Sequence, residues 1–215
     1  MFKKEEHAVA LDFLPHGKSG EARQEPVVQV VGEAQFTLLE VVPKQGVRID
    51  VGERVYIGKS ERDKIDHIKS RITYQELTGT SQRELDSTVK QIVMLKEKEL
   101  VSFLNHAGSL NIRSHALEHL PGIGKKHLDS LLSEREKKPF ESFADVQSRV
   151  PHLGKVEDLF VDRVINELKG NEKYFLFVKA PRSEDEEGEE GRDGQGRYRR
   201  DRRDDRRDDR RDRRW

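Results

Sequence analysis

One short stretch constrains the fold more than any other: Leu120, Pro121, Gly122, Ile123, Gly124, Lys125 and Lys126. Helical patterns of apolar residues precede and follow it, which predicts a turn between two helices. The proline fixes its own φ, and both glycines are free to adopt positive φ. Such a turn points backbone N–H groups outward at the positive end of the second helix. The pattern therefore predicts an anion site, and a nucleic-acid phosphate is the expected anion.

The same residues resemble the helix-hairpin-helix motif, a family of sequence-independent nucleic-acid binding motifs. The likeness lies in Leu-Pro-Gly-Ile-Gly and in the apolar residue four positions on, Leu128, where the family usually has a small residue. The resemblance implies that the turn holds a phosphate backbone through main-chain N–H groups, with Lys125 and Lys126 adding charge. An ordinary turn between two helices, with no ligand, is the alternative interpretation.

The hairpin pattern occurs twice. Positions 122 and 152 align at a spacing of 30 residues, and helices are predicted over 112–119, 124–136, 142–149 and up to Leu168. In the second turn His152 replaces the first glycine, and a side chain there disfavours positive φ. We therefore expect the second hairpin to bind phosphate more weakly, through Leu153, Gly154 and Lys155, or to serve structure alone.

The sequence of the N-terminal third of the chain predicts a small β domain. Short β-branched runs punctuated by Gly and Pro between residues 8 and 76 predict a barrel of the oligonucleotide-binding or SH3-like type. Four residues of one strand and its following loop are candidate nucleic-acid contacts: Tyr56, Lys59, Arg62 and Lys64. Half-buried packing for the tyrosine and a merely solvated loop for the cations are the alternatives.

The fold class that follows is α+β. The predicted parts are a small β-barrel (1–78), a linking helix (80–108), a tandem helix-hairpin-helix domain (109–170), a strand returning to the barrel (171–181) and a tail (182–215). The tail alternates arginine with acidic residues and has almost nothing apolar to bury, so it is predicted to be disordered. Weak association with RNA or with like tails, and a solubility role, both stay open for it.

Composition narrows the classes of function. The chain has no cysteine and zero formal net charge, so disulfides and thiolate metal sites are excluded and bulk charge does not indicate a polyanion partner. No apolar run approaches the roughly 18 residues of a membrane span, and no signal peptide is recognisable, so we expect a cytoplasmic protein. His115 and His119 have the spacing of an inverted zinc-protease helix, but no further ligand in a cleft is evident. We expect no metal and no cofactor.

The order of elements resembles an archaeal family catalogued as a domain of unknown function, DUF655. The likeness covers about residues 5 to 180 and includes the stretches 54–59, 76–77, 120–126 and 171–178. It implies an RNA- or nucleic-acid-binding protein associated with translation. We therefore expect a non-catalytic nucleic-acid-binding protein, with RNA and DNA both open as ligands and the oligomeric state unknown. A DNA repair protein, a protein-interaction scaffold and an enzyme are the alternatives, and no catalytic residues are evident.

Overall fold

A computed structural model describes residues 4–18 and 24–180. Its N-terminal part is one antiparallel sheet of five strands in the order β4-β1-β2-β3-β5. The strands are His7–Leu14 (β1), Val27–Gly32 (β2), Leu38–Pro43 (β3), Arg54–Tyr56 (β4) and Ile65–Arg71 (β5). Register shifts in β1 and in the β3–β5 pairing bend the sheet, as bulges do. The strands predicted from the β-branched runs are thus confirmed, and the whole is a mixed α+β fold.

The predicted barrel is confirmed in part, because the curled five-stranded sheet is an open half-barrel. In the described residues the two edge strands, β4 and β5, do not pair with each other. Successive residues of β1 point to opposite faces of the sheet, and both faces are apolar. Ala8 and Ala10 belong to a cluster inside the curl, while Val9 and Leu11 belong to the cluster that includes the helices. Helical side chains therefore cover the face that a barrel would leave to solvent.

In the described residues, five α-helices follow the sheet: Gly79–Leu95 (α1), Glu97–His106 (α2), Lys125–Lys137 (α3), Phe143–Arg149 (α4) and Val156–Leu168 (α5). The prediction of a single linking helix over 80–108 is wrong, because the helix is interrupted at Lys96, between α1 and α2. The Lys96 ammonium donates to the carbonyls of Glu33 and Ala34, at 3.1 and 2.7 Å, which ties the break to the turn after β2. No helix in the described residues is long and apolar enough to cross a membrane.

The helix predicted over 112–119 is wrong. A two-stranded hairpin, Ser109–Asn111 (β6) and Ser114–His115 (β7), leads into a single 3-10 turn, Ala116–His119. The His115 ring caps that turn by accepting the Leu117 N–H at 3.2 Å, and the Glu118 carboxylate accepts the His115 N–H at 2.8 Å. Only four residues separate this cap from the next turn, too few for a stable α-helix.

The prediction of a C-terminal strand over 171–181 is also wrong, although this segment does return to the sheet. Within residues 171–180 no strand forms, because the Glu167 carboxylate accepts the N–H groups of Leu176, Phe177 and Val178. Beyond them, the Lys179 N–H donates to the Gln35 carbonyl at 3.2 Å. One continuous apolar cluster joins the sheet to α5. The domain boundaries at 78, 108 and 170 stay predictions, and the predicted disordered tail lies outside the described residues.

Candidate nucleic-acid interface

The turn before α3 is built around two buried side chains. Leu120 and Ile123 are buried, and the Ile123 N–H donates to the Leu120 carbonyl at 3.1 Å. Gly122 has φ of +84°, in the region that favours glycine, whereas Gly124 caps α3 with φ of −88° and is extended. Only the first of the two glycines therefore needs its conformational freedom. The apolar pair fixes the turn, so its backbone is presented in one conformation.

The N-terminus of α3 presents free donors. The first N–H to be accepted by a backbone carbonyl is that of Leu128, which donates to Gly124 at 2.9 Å. The N–H groups of Lys125, Lys126 and His127 have no protein acceptor within the described residues. Both lysines are exposed, and the first turn of the helix has no acidic residue. The arrangement combines N–H donors, the positive end of a helix dipole and two ammonium groups, which together suit an anion.

His127 adds a contact that the sequence did not suggest. Its Nδ1 lies 3.0 Å from the Gly122 carbonyl oxygen, so the ring closes back over the turn and donates to that carbonyl. A histidine three positions after an N-cap is a weak sequence signal, because it is common in solvated helices. Here the contact stabilises the glycine conformation on which the free donors depend.

An open groove of about 430 Å³ lies beside this turn, lined by residues 118–124 with Arg163 and Glu172. The buried Arg163 guanidinium is held by protein groups on several sides. It donates to the His119 carbonyl at 2.9 Å and pairs with Glu167 at 2.8 Å and Glu172 at 2.6 Å. Neither Arg163 nor Glu167 was predicted from the sequence, although two opposite charges four residues apart inside an apolar stripe are a usable signal.

The second turn has two residues with positive φ, one of which is its histidine. His152 has φ of +64° and Gly154 has φ of +77°, while Leu153 is buried. The sequence predicts that a side chain at 152 disfavours positive φ, yet His152 adopts it. The surrounding packing imposes a left-handed conformation that costs about 1–2 kcal/mol for a non-glycine residue. Unlike α3, α5 carries Glu157 and Asp158 in its first turn, and these carboxylates oppose an anion there.

Three of the four candidate contacts near the half-barrel contact neighbouring groups of the protein itself. The Tyr56 ring covers Gly58, where a Cβ would lie 2.3 Å from the Tyr56 oxygen. Arg62 donates to the carbonyls of Gly58 and Asp66, at 2.9 and 3.1 Å. Lys64 lies 2.5 Å from Glu53, and this hydrogen bond lowers the pKa of Glu53.

The fourth candidate, Lys59, is exposed and makes no hydrogen bond or ion pair within the described residues. Among the hydrogen bonds and ion pairs of that same part of the chain, none joins Tyr56, Lys59, Arg62 or Lys64 to residues 120–126.

His115 and His119 serve the hairpin and the 3-10 turn. The His115 pKa is lowered by burial and, to a lesser extent, by the charge of Arg135. His119 Nε2 lies 2.7 Å from Ser114 Oγ, and its ring packs edge-on against Tyr174. Among the residues that the structure describes, no group of three or more His, Asp or Glu side chains is placed to hold a metal ion.

The fold and the site define an α+β protein in which a half-barrel sheet packs on helices that present a glycine turn with unpaired N–H donors. The chain belongs to the family described as "Protein of unknown function (DUF655)", whose model matches residues 4–179. The resemblance predicted from the sequence is thereby confirmed.

Two relatives from archaea were found. The uncharacterized protein MJ0038 of Methanocaldococcus jannaschii is 44% identical over 180 residues, which cover 82% of this chain and 81% of that protein. The crystal structure of Af1531 from Archaeoglobus fulgidus, assigned to the same family, has a TM-score of 0.75 and 44% identity. That match covers 81% of this chain and 100% of the other.

Proposed function

We propose that this protein is a non-catalytic nucleic-acid-binding protein that holds a phosphate backbone at the turn 120–126. One observation carries the proposal: the N–H groups of Lys125 and Lys126 have no protein acceptor in the described residues and lie at a helix end that has two exposed lysines and no acidic residue. Phosphate oxygens accept from such donors and are attracted by both the dipole and the ammonium groups.

We further propose that the two turns are a tandem helix-hairpin-helix pair of unequal members. Each turn buries an apolar residue, Ile123 or Leu153, and has a left-handed residue at the aligned position, Gly122 or His152. The first unit begins with a 3-10 turn where the motif usually has a helix. The carboxylates in the first turn of α5 weaken the second site, so it would support the first by packing.

The ligand class follows from the contacts. Backbone phosphates carry no information about base sequence, and only the 2′-OH distinguishes RNA from DNA, so both polymers are candidate ligands. The setting in RNA metabolism or translation rests on the family resemblance alone. No residue of the turn suggests a covalent step, which supports binding without catalysis.

Two glycine substitutions test the turn without changing any charge. Gly122→Ala and Gly154→Ala each place a methyl group on a residue with φ near +80°, and neither methyl would meet a heavy atom closer than 3.5 Å. Both should destabilise the fold to a similar degree, roughly 1–2 kcal/mol. Fluorescence anisotropy of the full chain with duplex DNA and duplex RNA then isolates the binding effect.

We expect Gly122→Ala to lose affinity by about tenfold or more, while Gly154→Ala binds like the unsubstituted chain. Equal affinities for the two variants would contradict phosphate binding at the first turn. The absence of binding to either polymer at low salt would contradict the nucleic-acid function altogether.

A further inference from the structure

The tip of the β6–β7 hairpin exposes an isoleucine. Ile112 has a relative exposure of 104%, higher than that of any other large apolar residue in the described part of the chain. The neighbouring residue, Arg113, is also exposed, and its guanidinium has no ion pair within the described residues. An apolar side chain with a cation beside it therefore projects from a two-residue loop between the strands.

The shape of the loop does not require these two residues. Neither Ile112 nor Arg113 has positive φ, and two-residue hairpin loops favour Asn, Gly or Asp, not a β-branched residue. The turn is instead fixed by Asn111, whose Oδ1 accepts the Arg113 N–H at 2.9 Å. The local structure thus gives no reason for an isoleucine at the tip of this loop.

The hairpin and the turn 120–126 share one anchor. Asn111 Nδ2 donates to the Tyr174 hydroxyl at 3.3 Å, and the Tyr174 ring packs against His119 with 5.2 Å between ring centroids. The Arg163 guanidinium donates to the carbonyls of both Tyr174 and His119. Because His119 immediately precedes Leu120, the same contacts fix the direction of the hairpin and the start of the turn.

We infer that Ile112 is an apolar wedge that enters the minor groove and contacts bases of the duplex whose phosphates lie at the turn. This inference rests on the proposed function. Proteins that bind the minor groove insert isoleucine and similar side chains between base steps, and arginine is attracted to the negative potential of that groove. Arg113 at the tip, with Lys125 and Lys126 at the turn, favours a polyanion over an apolar protein surface.

The test uses short DNA and RNA duplexes that carry 2-aminopurine, whose fluorescence rises when its stacking is disturbed. The full chain is compared with Ile112→Ser, which removes only an exposed side chain. The matched control is Leu95→Ser, since Leu95 is also an exposed apolar residue, at the end of α1. Anisotropy gives the affinity and its salt dependence for each variant.

We expect the unsubstituted chain and Leu95→Ser to raise the fluorescence. Ile112→Ser should abolish that rise and bind roughly tenfold more weakly, with an unchanged salt slope because no phosphate contact is lost. Salt-dependent binding without a fluorescence rise would overturn the wedge and leave the proposed function standing. The same holds if Ile112→Ser binds the duplex as tightly as Leu95→Ser does. No salt-dependent binding by the unsubstituted chain would overturn both.

Discussion

Arg163 and Glu167, one turn apart on α5, form an ion pair at 2.8 Å and are both almost fully buried, at 1% relative exposure each. The guanidinium also binds the carbonyl that precedes the candidate turn, and the carboxylate binds three N–H groups of the C-terminal segment. A pair of charged residues therefore holds together the turn, α5 and residues 174–178. Each charge is compensated and hydrogen-bonded, which is the condition for burying it.

Removing one partner of this pair should be strongly destabilising. Glu167→Leu leaves the Arg163 charge without its buried carboxylate partner and three backbone N–H groups without an acceptor, so we expect a loss of about 3–5 kcal/mol in the free energy of unfolding. Urea unfolding of the full chain measures it. The control Asp162→Ala removes an exposed carboxylate of the same helix and should change stability by less than about 0.5 kcal/mol. A loss below about 1 kcal/mol for Glu167→Leu would contradict the central role of the pair.

His152 should be a source of strain. Its φ of +64° favours glycine, so His152→Gly is expected to raise the free energy of unfolding by about 1 kcal/mol, after the entropy cost of an added glycine is subtracted. His152→Ala keeps the strain and should gain nothing. Urea unfolding of the two variants compares them directly. If His152→Gly proved less stable than His152→Ala, the imidazole itself would be stabilising the turn.

Protonation of His115 should weaken the fold. Burial and the charge of Arg135 lower its pKa below the ordinary 6.5, so the unfolded chain binds this proton first as the pH falls. The stability contribution of neutral His115 is then fully present above pH 6.5 and is lost as the pH falls through the lowered folded pKa. Protonation also removes the Nδ1 acceptor of the Leu117 N–H.

The free energy of unfolding, measured between about pH 5 and about pH 7.5, checks this prediction. His115→Asn keeps a side-chain acceptor suited to an N-cap but does not titrate in that range, so its stability should fall less on acidification. If the free energy of unfolding changed with pH in the same way for the unsubstituted chain and for His115→Asn, a contribution from His115 would be excluded.

Local signals predicted much of this fold. The strands β1 to β5 follow from β-branched runs punctuated by Gly and Pro, and α3, α4 and α5 follow from apolar periodicity with Gly124, Ser142 and Lys155 at their starts. These features depend on neighbours in sequence, which a single chain displays. The family was recognised for the same reason, since its short stretches are local.

The wrong predictions concern features that depend on contacts between residues distant in sequence. The segment 172–178 has the composition of a strand, but the Glu167 carboxylate takes its N–H groups. The half-barrel stays open because the helices share the apolar face of β1 and β2. At the candidate site, the turn and its lysines were predicted from the motif, whereas the Arg163 anchor and the projecting Ile112 depend on three-dimensional packing.

The most direct test of phosphate binding at the turn 120–126 is the salt dependence of duplex affinity. Lys125→Ala/Lys126→Ala is compared with Lys137→Ala/Lys138→Ala, which removes the same charge from the other end of α3. If the turn holds the backbone, the logarithm of the association constant falls linearly with the logarithm of salt concentration, and the first variant alone flattens the slope by about 2. Equal slopes for both variants, or no binding by the unsubstituted chain at low salt, would contradict it.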